Sequence, residues 1–117
     1  MDNDNLLGNI YISNRAIATI AYQSVVESYG VVGLAPKNFA KSITEVLVKD
    51  PTRGVDVHFD GKAVHIDLFV IIEYGTRIKT VATTLAETVK YKLETLIGIP
   101  VAEVNVHVRG LRISNID

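Results

Sequence analysis

The chain predicts an α+β fold: a two-layer α/β sandwich in which two long helices cover one face of a mostly antiparallel sheet. Three observations predict it. The stretch from Gly54 to Gly75 alternates apolar and polar residues on both sides of an Asp60-Gly61 pair, the pattern of a β-hairpin. Two other stretches, one around Ile17 to Val25 and one around Val81 to Leu93, place their apolar residues at helical spacing. A final run, Val101 to Arg109, alternates again. Elements that each bury one face or one stripe satisfy one another most economically as helices packed on a sheet.

In chain order, Asp and Asn dominate residues 1–7, which reads as a disordered N-terminus ahead of a single domain over 8–113, with 114–117 as a C-terminal tail. Asn9 to Ile12 can add a short strand. Ser13 is placed as an N-cap, because its hydroxyl can accept from an amide of the following turn. Ile17, Ile20, Ala21, Ser24 and Val25 then form the buried stripe of a helix over Asn14 to Ser28. Gly30 suits a left-handed helix stop, and Val31 to Leu34 follows as a brief strand. A shorter helix is predicted around Phe39, Ile43, Val46 and Leu47, ending near Lys49 because Pro51 disfavours helical geometry at Asp50.

For the hairpin, Asp60-Gly61 predicts a two-residue type I′ loop, so that Phe59 faces Lys62, His58 faces Ala63, Val57 faces Val64 and Asp56 faces His65. Val55, Val57, Phe59, Val64, Ile66, Leu68, Val70 and Ile72 are the core face. Asp56, His58, His65, Asp67, Phe69, Ile71 and Glu73 are the other, which begins polar and turns apolar at Phe69 and Ile71. Beyond Gly75 a long helix over Lys79 to Ile97 carries Ile78, Val81, Ala82, Leu85, Ala86, Val89, Leu93, Leu96 and Ile97 as its apolar stripe, and Gly98 and Pro100 end it. The last strand turns Val104, Val106 and Val108 inward and Glu103, Asn105, His107 and Arg109 outward.

Composition narrows the function. A chain of 117 residues with 48% hydrophobic and 21% charged residues has enough apolar surface for its own core. Without cysteine it has no disulfide framework, thiolate nucleophile or Cys-ligated metal. A net charge of -1 opposes a broad electrostatic grip on nucleic acid or anionic lipid. The acidic start lacks the apolar region of a secretory signal, and the longest aliphatic and aromatic run, Leu68 to Ile72, is far short of a membrane span. A cytoplasmic protein without direct membrane insertion is expected.

No catalytic constellation, cofactor motif or metal site is predicted. His58, His65 and His107 share the open face with Asp56 and Asp67, which is a conceivable ligand set, yet alternating polar residues are what any half-solvated strand shows. Asp56 and His65 would be cross-strand neighbours, but no nucleophile accompanies them. Gly30-Val31-Val32-Gly33 matches the GxxG loop of KH nucleic-acid binders, although two valines there suit a helix stop and buried strand better than a phosphate clamp. Glu73-Tyr74-Gly75-Thr76-Arg77 joins a buried strand to a helix start, where free amides and Arg77 favour an anion; the plainer reading is that Gly75 turns the chain and Thr76 caps. The candidate interaction surface is therefore Phe69, Ile71, Glu73, Tyr74, Arg77, Asn105, His107 and Arg109. It is expected to meet a protein partner or a second copy of the chain.

The pieces His65 to Gly75, Arg77-Ile78 and Val104 to Gly110, with Gly8-Asn9-Ile10 and Gly30 to Leu34, resemble the alkaline shock protein family of Gram-positive bacteria, in its short YloU-like branch, over roughly residues 6–113. Lys79 stands where many relatives have proline. The resemblance implies a non-enzymatic protein of the envelope stress response or envelope homeostasis. It implies a membrane-anchored protein as partner, with membrane association through it, or a dihydroxyacetone-kinase-like fatty-acid kinase that the chain would assist. It carries no catalytic residue onto this chain.

Overall fold

The computed structural model describes residues 13–36 and 51–113. The predicted disordered start, the strand at Asn9 to Ile12, the helix around Phe39 to Leu47 and the tail lie outside those residues. The order is helix α1 (Asn14–Glu27), strand β1 (Val31–Leu34), a helical turn α2 (Pro51–Gly54), strands β2 (Val55–Phe59) and β3 (Val64–Glu73), helix α3 (Ile78–Leu96) and strand β4 (Val101–Arg112).

Strand β3 organises the sheet. β2 pairs antiparallel with its first half, Val55 opposite Leu68 through Phe59 opposite Val64. β1 pairs antiparallel with its last residues, Val31 opposite Ile72 and Leu34 opposite Val70. β4 runs parallel to β3 along its whole length, from Val64 beside Val101 to Glu73 beside Arg112. Because residues 64–68 pair with β2 and β4 at once, these strands occupy opposite edges of β3, and β1 continues the β2 side. Two of the three pairings are antiparallel. The parallel one follows from α3, since strands joined by a long crossover helix run the same way.

Both long helices cover one face. Ile17, Ala18, Ala21 and Val25 of α1 and Val81, Leu85, Val89 and Leu93 of α3 close over Val64, Ile66, Leu68, Val70 and Ile72 in one buried cluster. Helix α1 begins as expected, with the Ser13 hydroxyl accepting from the Ala16 amide at 3.0 Å. Gly30 follows its end at φ 84°, and Val31 starts the strand. The ends of the predicted α3 stripe are less covered, with Ile78 39% and Leu96 67% exposed.

Three local expectations are corrected. The hairpin loop holds four residues, Asp60 to Ala63, because the Asp60 carboxylate folds the turn over itself: Oδ1 accepts from the amides of Lys62 and Ala63, each at 2.9 Å. The register therefore moves by two residues, and His58 faces His65 while Asp56 faces Asp67. A two-residue shift preserves side-chain parity, so the predicted faces survive and the Asp56–His65 pairing does not. Helical residues occur at Pro51–Gly54, beyond the predicted stop at Lys49, since proline's fixed φ suits a first helical turn. Thr76 is not the cap of α3: its hydroxyl donates to the Glu73 carbonyl at 2.7 Å, and the cap position is Arg77, which makes no side-chain capping bond.

Candidate functional site

The parallel register of β3 and β4 builds the open face. It sets Asp67 beside Asn105 and Phe69 beside His107. Asp67 becomes the hub: its Oδ1 accepts from His107 Nε2 at 2.9 Å and from Asn105 Nδ2 at 3.3 Å. Held in this way, the His107 ring stacks on Phe69 with centroids 4.8 Å apart and planes 14° from parallel. The Arg109 guanidinium lies 5.0 Å from the centroid of the same Phe69 ring. A half-buried phenyl ring thus has an imidazole and a cation against it, a contact with Arg worth roughly 0.5–1 kcal/mol where exposed.

Further along the face, His65 joins two elements. Its Nε2 lies 2.6 Å from Asp60 Oδ2 in the hairpin loop and its Nδ1 lies 3.0 Å from Glu103 Oε2 on β4. Carboxylates only accept, so both ring nitrogens donate and the ring is an imidazolium. The hydrogen bond to Asp60, followed by that to Glu103, raises the His65 pKa above its ordinary value. Asp60 is held far below the usual carboxylate range, first by the Ala63 amide, then by His65 and the Lys62 amide. Among the described residues, no three His, Cys, Asp or Glu side chains group as a metal site.

The structure brings together half of the predicted surface. Phe69, Asn105, His107 and Arg109 form the cluster just described. Ile71 does not belong to its exposed part: it is fully buried, between Gly33 on one neighbouring strand and Gly110 on the other, with its Cδ1 only 3.3 Å from where a Cβ on Gly110 would stand. Glu73, Tyr74 and Arg77 lie at the corner where β3 ends. Four residues separate Phe69 from Glu73, about 13 Å along a strand. The corner is tied to the sheet by Glu73 N donating to Gly30 O at 2.8 Å and Tyr74 N to Arg112 O at 2.8 Å, and Tyr74 stays 61% exposed. It opens toward the helices, where Thr76, Arg77, Thr80, Thr84 and Thr88 border a groove of about 570 Å³ with Ser28 and Lys92.

Asp67, Asp60 and Glu103 are the members that sequence reasoning left out of the surface. Their signal was present as the two i, i+2 pairs Asp67/Phe69 and Asn105/His107, but only the β3–β4 register couples them. The Gly30 to Gly33 motif is a left-handed helix stop leading into a strand paired with β3, with its irregularity at Val32. Among the described residues, no helix is long and apolar enough to cross a membrane.

Known structures share the fold. MamM-CTD, in one variant form, superposes with a TM-score of 0.52 at 11% identity, covering 84% of this chain and 98% of that one. A cadmium form of MamM-CTD gives 0.51 at 10% identity, covering 88% and 100%. At such identity the likeness concerns the fold alone. Sequence relatives reach further. The uncharacterised protein YloU of Bacillus subtilis is 44% identical over 110 residues, 92% of either chain. The uncharacterised protein Spy1614 of Streptococcus pyogenes is 32% identical over 108 residues, 91% of this chain and 89% of that one. A family model spanning residues 2–113 matches as well, and on these grounds the chain belongs to the alkaline shock protein family, which is described by a cell envelope-related function.

Proposed function

We propose that this chain is a non-enzymatic protein-interaction module of cell-envelope homeostasis or the envelope stress response, and that it binds its partner through the open face of the sheet. The observation that carries the reading is the half-exposed Phe69 ring with His107 and Arg109 packed against it. Aromatic and arginine side chains are enriched where protein interfaces concentrate their binding energy. Here they are held in place by Asp67 before any partner arrives, so little side-chain entropy is left to lose on binding. The face offers His–Asp pairs with no nucleophile, which suits recognition better than group transfer. The partner is a membrane-anchored protein, which would hold a cytoplasmic chain at the membrane.

The test is affinity purification of the tagged full chain from its own host, with quantitative mass spectrometry, alongside Phe69→Ala, Arg109→Ala and the helix-face control Tyr91→Ala. One membrane protein is expected in fixed ratio with the wild type and the Tyr91 variant, and reduced roughly tenfold or more with Phe69→Ala. A partner retained equally by all four chains, or none retained by any, defeats the reading.

A further inference from the structure

The outer edge of β4 carries an inference that stands whether or not the open face binds another protein. Among the described residues β4 pairs only with β3, so one side of a 12-residue strand keeps its backbone N–H and C=O groups unpaired. Natural edge strands are usually short, or blunted by lysine, proline or bulges. This one has neither lysine nor proline. Its two irregularities fall near its ends, at the steps Val64/His65 and Val70/Ile71 of β3, and leave Glu103 to Val108 regular.

We infer that a second copy of the chain adds its own β4, antiparallel, to this edge, with the twofold axis at Val106. The strand is complementary to itself about that residue. Reversed on Val106, it sets Glu103 opposite Arg109, Val104 opposite Val108 and Asn105 opposite His107, so each residue meets one of its own character. Both Glu103–Arg109 pairs of the dimer are of opposite charge. Sliding the register one allowed step, which is two residues because the faces must match, sets Glu103 against His107 or against Leu111 instead.

Space for the incoming strand is already present. A groove of about 390 Å³ runs along β4 at Val104 to His107, and its wall is Ala82, Thr83 and Ala86 of α3. A twofold axis at Val106 brings this part of α3 beside its own copy. Small side chains there let the two helices approach. The four-stranded sheet would then continue across the axis as one sheet of both chains.

The test is the mass of the purified full chain by sedimentation equilibrium, for the wild type, Glu103→Arg, Arg109→Glu and an equimolar mixture of these two variants. The wild type is expected at twice the 12.8 kDa chain mass. Either variant alone sets like charges opposite at both symmetric sites and weakens the dimer by about tenfold or more. The mixture restores it, because a heterodimer holds two arginines against two glutamates. That rescue also separates the interface from the contacts Glu103 and Arg109 make inside their own chain, which mixing leaves unrepaired. A monomeric wild type overturns the inference. So does a dimer that withstands both substitutions, or variants that fail to recover on mixing.

Discussion

His65 shows how one side chain couples distant parts of the chain. It bridges Asp60 of the hairpin loop and Glu103 of β4, and its pKa is raised by those bonds. A raised folded-state pKa contributes stability that is complete below the ordinary histidine value of 6.5 and is lost as pH climbs through the raised value. The melting temperature of wild type should therefore exceed that of His65→Gln most at about pH 5.5, with the gap narrowing by about pH 9. A gap constant across that range would mean the bridge adds nothing to folding. Glycines give a second contrast. Gly30 has φ 84° and a Cβ there would stand 2.8 Å from Val81 Cγ2, whereas Gly61 at φ 99° faces open space. Gly30→Ala should cost about 2–4 kcal/mol, strain plus overpacking, and Gly61→Ala about 1 kcal/mol, measured by denaturant unfolding. The need for glycine at position 30 was legible in the sequence as a helix stop. Its contact with Val81 was not, because the two residues meet only when α3 returns over the end of α1.

At the scale of elements, the two long helices differ in how they begin. α1 has the Ser13 cap, and α3 starts at Arg77 without one. Ser13→Ala should cost about 1 kcal/mol of stability, read from a shifted denaturant midpoint at constant slope. α3 relies instead on burial: Leu85 is wholly removed from solvent, so Leu85→Ala should cost about 2–5 kcal/mol, against less than about 0.5 kcal/mol for the 69% exposed Tyr91. Helix extents were predicted within a residue at each end, since periodicity and capping are local. The hairpin register was not. Asp60-Gly61 satisfies the rule for a two-residue loop, but the Asp60 carboxylate found better partners in the Lys62 and Ala63 amides. Side-chain hydrogen bonding overrode backbone preference, and the faces survived because the shift was even.

In the whole molecule β3 is the strand paired on both edges and covered by both helices, so its amides should be the last to exchange. Hydrogen exchange is expected to be slowest at Ile66, Leu68 and Val70 and faster in β1 and β2, each of which holds only part of one edge of β3. Faster exchange in β3 than in α1 would show that the sheet opens before the helices do. The sequence by itself determined the classes of its segments, the two faces of the hairpin and the absence of cysteine chemistry, because propensity, alternation and composition are carried by neighbouring residues. It also placed Phe69, Asn105, His107 and Arg109 on one open face. Tertiary structure decided that β4 runs parallel to β3, that Asp67 holds His107 against Phe69, that His65 is shared between Asp60 and Glu103, and that Ile71 is buried while Tyr74 is exposed. Each of those depends on which residues of two strands stand side by side, a register set by how α3 packs and by where both bulges fall, and no local pattern encodes it.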